Sequence, residues 1–387
     1  MKRILHLVFV CSLVFQPSQA QGTWTQKASL PVGKERAVAF SINNFGYIGT
    51  GSNGSYTKDF WKYDPQSDQW EEVASMPTLG RLGAMSFAIN GKGYVGGGVN
   101  GNEGVDNEFW EYDPQFNSWS KKGNLPTYPG SFSTMTTFSI GEKGYLLTTY
   151  HTDNFWEYSP ASDTWTQKAH FPGVGNMEQV GFAIGTKGYI GTGYGGGLIS
   201  TPEFWQYDTA QDKWSKKADF PGTPRMSAVG FSINNTGFLG LGVSNGGVFH
   251  NDFWEYHPET DSWNQIEDCG YYAADAVAMT IGQKGYVGTG LFDGSAFWEY
   301  APDLSSISTF DQSPMVDIYP NPVREKLFLD FNYPESITFS IYSVLGQMVK
   351  TGATTERFIS VVELPEGVYV LKIQSPKLFS CKEFVKE

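Results

Sequence analysis

The sequence predicts an all-β chain whose body is a ring of six repeated four-stranded units, and three observations carry that expectation. An aromatic follows a glycine at Tyr47, Tyr94, Tyr145, Tyr189, Phe238 and Tyr286. Phe-Trp pairs place Trp61, Trp110, Trp156, Trp205, Trp254 and Trp298 at successive intervals of 49, 46, 49, 49 and 44 residues. A second series, Trp24, Trp70, Trp119, Trp165, Trp214 and Trp263, completes the 12 tryptophans and leaves none outside the pattern. A period of roughly 50 residues with four strand-like runs per unit marks sheets that bury their apolar faces against one another.

The first element is a leader. Lys2 and Arg3 precede an apolar run over 4–15, and Ser18-Gln19-Ala20 supplies small residues for cleavage. Residues 1–20 therefore read as a secretory signal peptide, too short for a comfortable membrane span. Cys11 has the wrong surroundings for a lipoprotein acceptor. No later run is long enough to cross a membrane.

Residues 21–304 form the repeated body, and the second unit shows its parts. Strands are expected over 84–89, 93–98, 108–112 and 118–122. Asn90-Gly91-Lys92-Gly93 turns the first strand into the second with residues that tolerate positive φ. Asp113-Pro114 turns the third into the fourth, because proline presets the turn dihedral and aspartate bonds the nearby backbone. Phe109 and Trp110 point to opposite faces, as suits a sheet covered on both sides. The sixth unit has no fourth-strand tryptophan, whereas Thr23-Trp24-Thr25-Gln26-Lys27-Ala28 repeats Thr164-Trp165-Thr166-Gln167-Lys168-Ala169. The N-terminal strand is thus expected to complete the last sheet, removing a free edge.

These motifs resemble the kelch family, from residue 22 to about 303, and the resemblance implies a six-bladed kelch-type β-propeller. Departures are local: Leu146-Leu147-Thr148-Thr149-Tyr150 replaces Gly-X-Gly in unit three, and Asp208-Thr209 replaces an X-Pro turn in unit four.

Residues 305–315 are Ser-rich and patternless, a linker. From 316 to 387 the apolar alternation of Lys326-Leu327-Phe328-Leu329-Asp330-Phe331, Ile337-Thr338-Phe339-Ser340-Ile341-Tyr342 and Gly367-Val368-Tyr369-Val370-Leu371-Lys372-Ile373 predicts a small antiparallel β-sandwich. Tyr319-Pro320-Asn321-Pro322, Leu345-Gly346-Gln347, Leu364-Pro365-Glu366-Gly367-Val368-Tyr369 and the final Lys386-Glu387 make this segment resemble the C-terminal sorting domain of the type IX secretion system of Bacteroidetes. The resemblance implies an export address recognised by the secretion machinery, and a secreted or cell-surface protein.

Composition agrees with export. The net charge of −13 becomes −15 once Lys2 and Arg3 leave with the signal peptide. A chain this acidic, without a basic run, is a poor partner for nucleic acid or anionic lipid. Cys269 and Cys381 are the cysteines left in the mature chain and fall in different domains, so no disulfide between them is expected. A monomer is expected.

Function is expected on the face with long loops, at 52–58, 99–107, 193–202 and 243–251. Counting eleven residues back from each Gly-aromatic gives Arg36, Gly83, Thr134, Glu178, Ser227 and Asp275. Two residues earlier stand Lys34, Arg81, Phe132, Asn176, Arg225 and Ala273, and by strand alternation both rows are expected at the channel mouth. Arg36, Arg81, Arg225, Glu178 and Asp275 there could hydrogen-bond sugar hydroxyls or clamp a carboxylate. Equally, such charges can neutralise one another in water. Tyr150, His151, Tyr194 and Phe249 surround the mouth.

The reading is a binding module for a glycan or an extracellular protein, with no cofactor and no assigned catalytic residue. The alternative is a sugar-acting enzyme. Resemblance to the six-bladed kelch epimerase of sialic acid implies a mutarotase of an acidic sugar, with Glu178 and Asp275 moving protons. Resemblance of kelch rings to galactose oxidase implies a copper site drawn from His151, His250 and Tyr272, near Cys269. That enzyme has seven blades, and no ligand spacing here matches it. His257 and His170 lie on the wrong side to join.

Overall fold

The computed structural model describes residues 22–101, 104–126, 135–148, 154–195, 199–303, 317–330, 337–343, 348–375 and 378–387. Gln21–Pro302 form one compact unit, and the described residues of the C-terminal region form another. All regular structure among the described residues is β, and no helix long and apolar enough to cross a membrane is present.

In the larger unit, six antiparallel sheets have four strands each. The second unit runs Met85–Ile89, Lys92–Gly96, Phe109–Asp113 and Ser118–Lys121. Its second strand stops at Gly96 because Gly97 and Gly98 turn to φ of 68° and 84°. Unit three, which lacks those glycines, extends the equivalent strand to Lys143–Thr148. Thr23–Gln26 pairs antiparallel with Phe297–Ala301, so the sheet of the sixth unit takes its outer strand from the N-terminus.

The inner strands pack side by side: Val38–Ile42 on Met85–Ile89, then on through units three to six, and Val277–Ile281 back on Val38–Ile42. Hydroxyls stitch this cycle, with Ser86 donating to the Ala39 carbonyl at 2.9 Å and Thr137 to the Ser86 carbonyl at 2.7 Å.

The glycine before each aromatic has a steric reason. A Cβ on Gly93 would lie 2.3 Å from the Phe40 ring, and one on Gly188 would lie 2.2 Å from Phe138. Gly144, Gly237 and Gly285 face Phe87, Phe182 and Phe231 in the same way, and Gly46 faces Met279. Each inner-strand side chain thus enters a socket in the next sheet. What approaches these glycines is a phenyl ring, or at Gly46 the Met279 thioether.

A second repeated device joins the outer strands. Asp68, Asn117, Asp163, Asp212 and Asp261 all have φ near 50°. Each accepts a hydrogen bond from the tyrosine five residues earlier, as from Tyr207 to Asp212 at 2.6 Å. Each also accepts the backbone N–H of the preceding unit, such as Ala169 N–H at 2.9 Å. Trp214 Nε1 then donates to the Ala169 carbonyl at 3.0 Å. Trp24, Trp70, Trp119, Trp214 and Trp263 are therefore both core and connector, their polar edges satisfied across the seam between sheets, whereas Trp165 Nε1 is buried with no partner among the described residues. In the closing sheet this acidic position is Gly22, which has no side-chain acceptor.

The C-terminal unit holds a three-stranded sheet (Asp317–Tyr319, Lys326–Asp330, Phe358–Ser360) and a four-stranded one ordered Met348–Thr354, Ile337–Ser343, Gly367–Ser375, Leu378–Lys386. Leu327, Leu329, Ile341, Leu371, Ile373 and Phe384 from the two sheets share one buried cluster.

Candidate functional site

In the five units where it is described, the residue two positions before the inner strand adopts a left-handed conformation. Arg36, Glu178, Ser227 and Asp275 have φ of 51°, 53°, 51° and 55°, and Gly83 has 63°. Backbone bonds tie them into a chain: Arg36 N–H to the Asp275 carbonyl at 3.0 Å, Gly83 N–H to the Arg36 carbonyl at 3.0 Å, and Ser227 N–H to the Glu178 carbonyl at 3.1 Å. Their side chains converge on a cavity of 150 Å³, also lined by Ala37, Ala84, Met135, Gln179, Ala228 and Ala276. That is room for a few waters or the edge of one sugar ring.

The side chains form one network. Arg36 Nε donates to Asp275 Oδ2 at 3.0 Å, and its Nη2 lies 4.0 Å from Glu178 Oε1. Ser227 Oγ sits 2.5 Å from Glu178 Oε2 and 3.0 Å from Asp275 Oδ1. Burial, with the Asp275 charge, raises the Glu178 carboxyl above its ordinary value against the opposing pull of Ser227 and Arg36. Burial alone would lower Arg36, but Asp275 and Glu178 outweigh it and raise it. Tyr194, on the neighbouring strand Tyr194–Gly195, is raised by burial and by the Glu178 charge. Sequence reasoning put Ser227 in the row but gave it no role. A serine between two acidic positions of adjacent repeats was the available signal.

Arg81 and Arg225 do not belong to the mouth, which corrects the expected ring. Both are 0% exposed. Arg225 makes a two-pronged pair with Asp252, Nη1 to Oδ1 at 2.6 Å and Nη2 to Oδ2 at 2.9 Å. It also bonds the Leu241 and Thr223 carbonyls and stacks 5.0 Å from the Phe220 ring. Arg81 reaches Asp106, Glu108, Thr78 and the Gly97 carbonyl, and the equivalent Lys34 binds Asp59 at 2.7 Å. These cations fasten the loop entering each unit to the loop between its second and third strands. The positive φ at the mouth residue breaks strand alternation, so the side chain two positions earlier turns into the protein.

Of the surrounding residues, Phe249 meets Phe292 edge to face, with centroids 4.5 Å apart. Tyr150, His151, Phe132 and Thr134 lie outside the described residues, as does the Asn176 side chain. His250 Nδ1 lies 3.9 Å from Asp252, and burial, then the Arg225 charge, lowers it. Cys269 is buried and its thiol is pushed up to about 12 by desolvation, which opposes the thiolate a metal would need. Tyr272 is exposed. Among the described residues no group of three or more His, Cys, Asp or Glu gathers into a metal cage.

Exposed apolar side chains concentrate on this same face: Leu79, Val174, Ile199, Val248, Tyr272 and Phe292 all sit in its loops, against Phe116 on the other.

Residues 317–387 match the family model described as the secretion system C-terminal sorting domain, and residues 46–77 match the kelch motif. The solved structure titled "Structure of YjhT" is similar at a TM-score of 0.59 and 19% identity, over 70% of this chain and 95% of that one. No curated protein matches the chain. Repeat motif, four-stranded sheets and tail together identify a kelch-type β-propeller protein whose C-terminal sorting domain marks it for type IX export, to the cell surface or the medium.

Proposed function

We propose that this is a six-bladed propeller, closed by its N-terminal strand after removal of a signal peptide at 1–20, that binds a glycan through its long-loop face. The pairing of Thr23–Gln26 with Phe297–Ala301 supports the closure. The observation that carries the binding role is the mouth itself. Gly83 fills one of the left-handed positions, so the fold asks only for glycine there. Arg36, Glu178, Ser227 and Asp275 occupy the equivalent positions at a backbone cost of about 1–2 kcal/mol each. Four polar groups held against that cost at one cavity are groups kept for a ligand. Donor, hydroxyl and carboxylates side by side match the mixed donors and acceptors of sugar hydroxyls.

The test is a thermal-shift screen of the mature protein against acidic and neutral sugars, repeated with Arg36→Ala and Glu178→Gln. A rise with a sugar that both variants lose is expected. No rise with any sugar would sink the glycan reading and leave an extracellular protein as the partner, sought by pull-down from the cell surface.

One observation favours a second reading, sugar mutarotation. Ser227 has a single hydroxyl proton yet bridges two carboxylates, so the trio is best satisfied when Glu178 carries a proton and donates it to Ser227 Oγ while Ser227 donates to Asp275. An acid joined to a base through a hydroxyl can protonate a ring oxygen as it deprotonates the anomeric hydroxyl. Anomer exchange followed by NMR, abolished in Glu178→Gln with Asp275→Asn, distinguishes this enzyme from a binder.

A further inference from the structure

The loop carrying Phe292 has no structural need for that ring. Phe292 is 78% exposed and has φ of 79°, a conformation that a bulky side chain rarely adopts. Among the described residues, its one ring contact is the edge-to-face meeting with Phe249. Glycine would relax the backbone there and lose almost no burial. Phe292 lines a cleft of 490 Å³ between its own loop and the first unit, opposite Glu35, Ser52 and Asn53. Much of the remaining lining is glycine: Gly33, Gly54, Gly290 and Gly294. Glu35 is fixed by paired backbone bonds with Ser52, both 2.9 Å, and among the described residues nothing hydrogen-bonds its carboxylate.

We infer that this cleft is a second subsite, one that takes a neutral pyranose ring stacked on Phe292 with its hydroxyls bonded to Glu35 and Asn53. A sugar ring offers an apolar face of polarised C–H groups, which suits the negative face of a phenyl ring. Its edge offers donors, which suits an ionised carboxylate that only accepts, and an amide that does both. A single exposed ring in an acceptor-rich, glycine-lined cleft is a poor protein dock, which buries a broader apolar area. The Glu35 carboxylate at the cleft repels an anionic sugar, so this subsite takes a neutral one.

Glu35 faces this cleft and Arg36 faces the mouth, one peptide unit apart. The ligand that spans both is an oligosaccharide. This extension rests on the glycan reading of the mouth, although the Phe292 subsite can be tested separately.

The experiment is an array of neutral mono- to hexasaccharides built from common hexopyranoses, probed with the labelled mature protein and its variants Phe292→Gly, Glu35→Gln and Arg36→Ala. Wild type should bind longer chains more tightly than monosaccharides. Phe292→Gly and Glu35→Gln should each weaken oligosaccharide binding about tenfold, the worth of one stacking or charged contact. Phe292→Gly should melt no lower than wild type, so its loss of binding reports the ring. Retention of wild-type binding by Phe292→Gly overturns the subsite, and so does an array with no bound neutral sugar. In either case the mouth is judged separately, by whether acidic sugars shift the melting of wild type and fail to shift that of Arg36→Ala.

Discussion

Replacing Arg225 with methionine separates the two kinds of cation in this protein. The substitution keeps an unbranched apolar stem and deletes the guanidinium that holds both oxygens of Asp252 and lies over the Phe220 ring. The side chain of Arg225 is wholly buried, and burial opposed by the Arg225 and Trp254 hydrogen bonds keeps Asp252 below its ordinary value. Breaking one partner of such a pair costs about 3–5 kcal/mol, because the other is left charged, and the Leu241 and Thr223 carbonyls also lose donors. At about 2–4 °C per kcal/mol for a domain of this size, melting should fall by roughly 10 °C. Adding Asp252→Asn should restore part of the loss, since the uncompensated charge is gone. Arg36→Ala, at a mouth position whose side chain is 27% exposed, should move melting far less and remove sugar binding instead. The assay is calorimetry or circular dichroism on the three variants beside sugar titration. An Arg225→Met protein that melts like wild type but no longer binds sugar would refute the assignment of Arg225 to structure.

Other outcomes follow from the same contacts. Gly188→Ala forces a Cβ to within 2.2 Å of the Phe138 ring and should destabilise by about 1–3 kcal/mol in urea unfolding, with Phe138→Leu relieving it; no relief would mean the socket is not what glycine serves. Glu178 has a raised folded value, so its neutral form contributes stability that is present at low pH and lost as pH rises through that value. Glu178→Gln should therefore gain melting temperature over wild type as pH rises above the ordinary glutamate value of about 4.3, and a pH-independent difference would contradict the shift. Glu108 runs the opposite way: burial opposes it, but Lys121 and Thr78 hold it to about 2, so its contribution survives above the ordinary carboxylate range and disappears as pH falls toward 2. Glu108→Gln should flatten the acid limb of stability. Asp212→Ala removes the acceptor of Tyr207 and of Ala169 N–H and should cost about 1–3 kcal/mol, read by the same unfolding curves.

The order of strands, the addition of the N-terminal strand Thr23–Gln26 to the last sheet, and the sorting tail were all legible in the residues alone. Each rests on local, repeated chemistry: a glycine before an aromatic, Phe-Trp alternation, an Asp-Pro turn and a strand signature that changes after residue 316. Such signals are independent of any partner elsewhere in the chain. The mouth was legible in part, since counting back from each Gly-aromatic reached Arg36, Glu178, Ser227 and Asp275. What counting could not supply was direction. One left-handed residue before the inner strand, in the five units where it is described, reverses the alternation, so Arg81 and Arg225 turn inward to Asp106 and Asp252 while Arg36 turns to the mouth. Nor could the sequence pair Ser227 with two carboxylates 48 and 49 residues away, or set Glu35 across a cleft from Phe292. Those meetings depend on how successive sheets lie against one another. Tertiary packing alone decides that, because the aromatic sockets and the Tyr–Asp connectors set each sheet against the next.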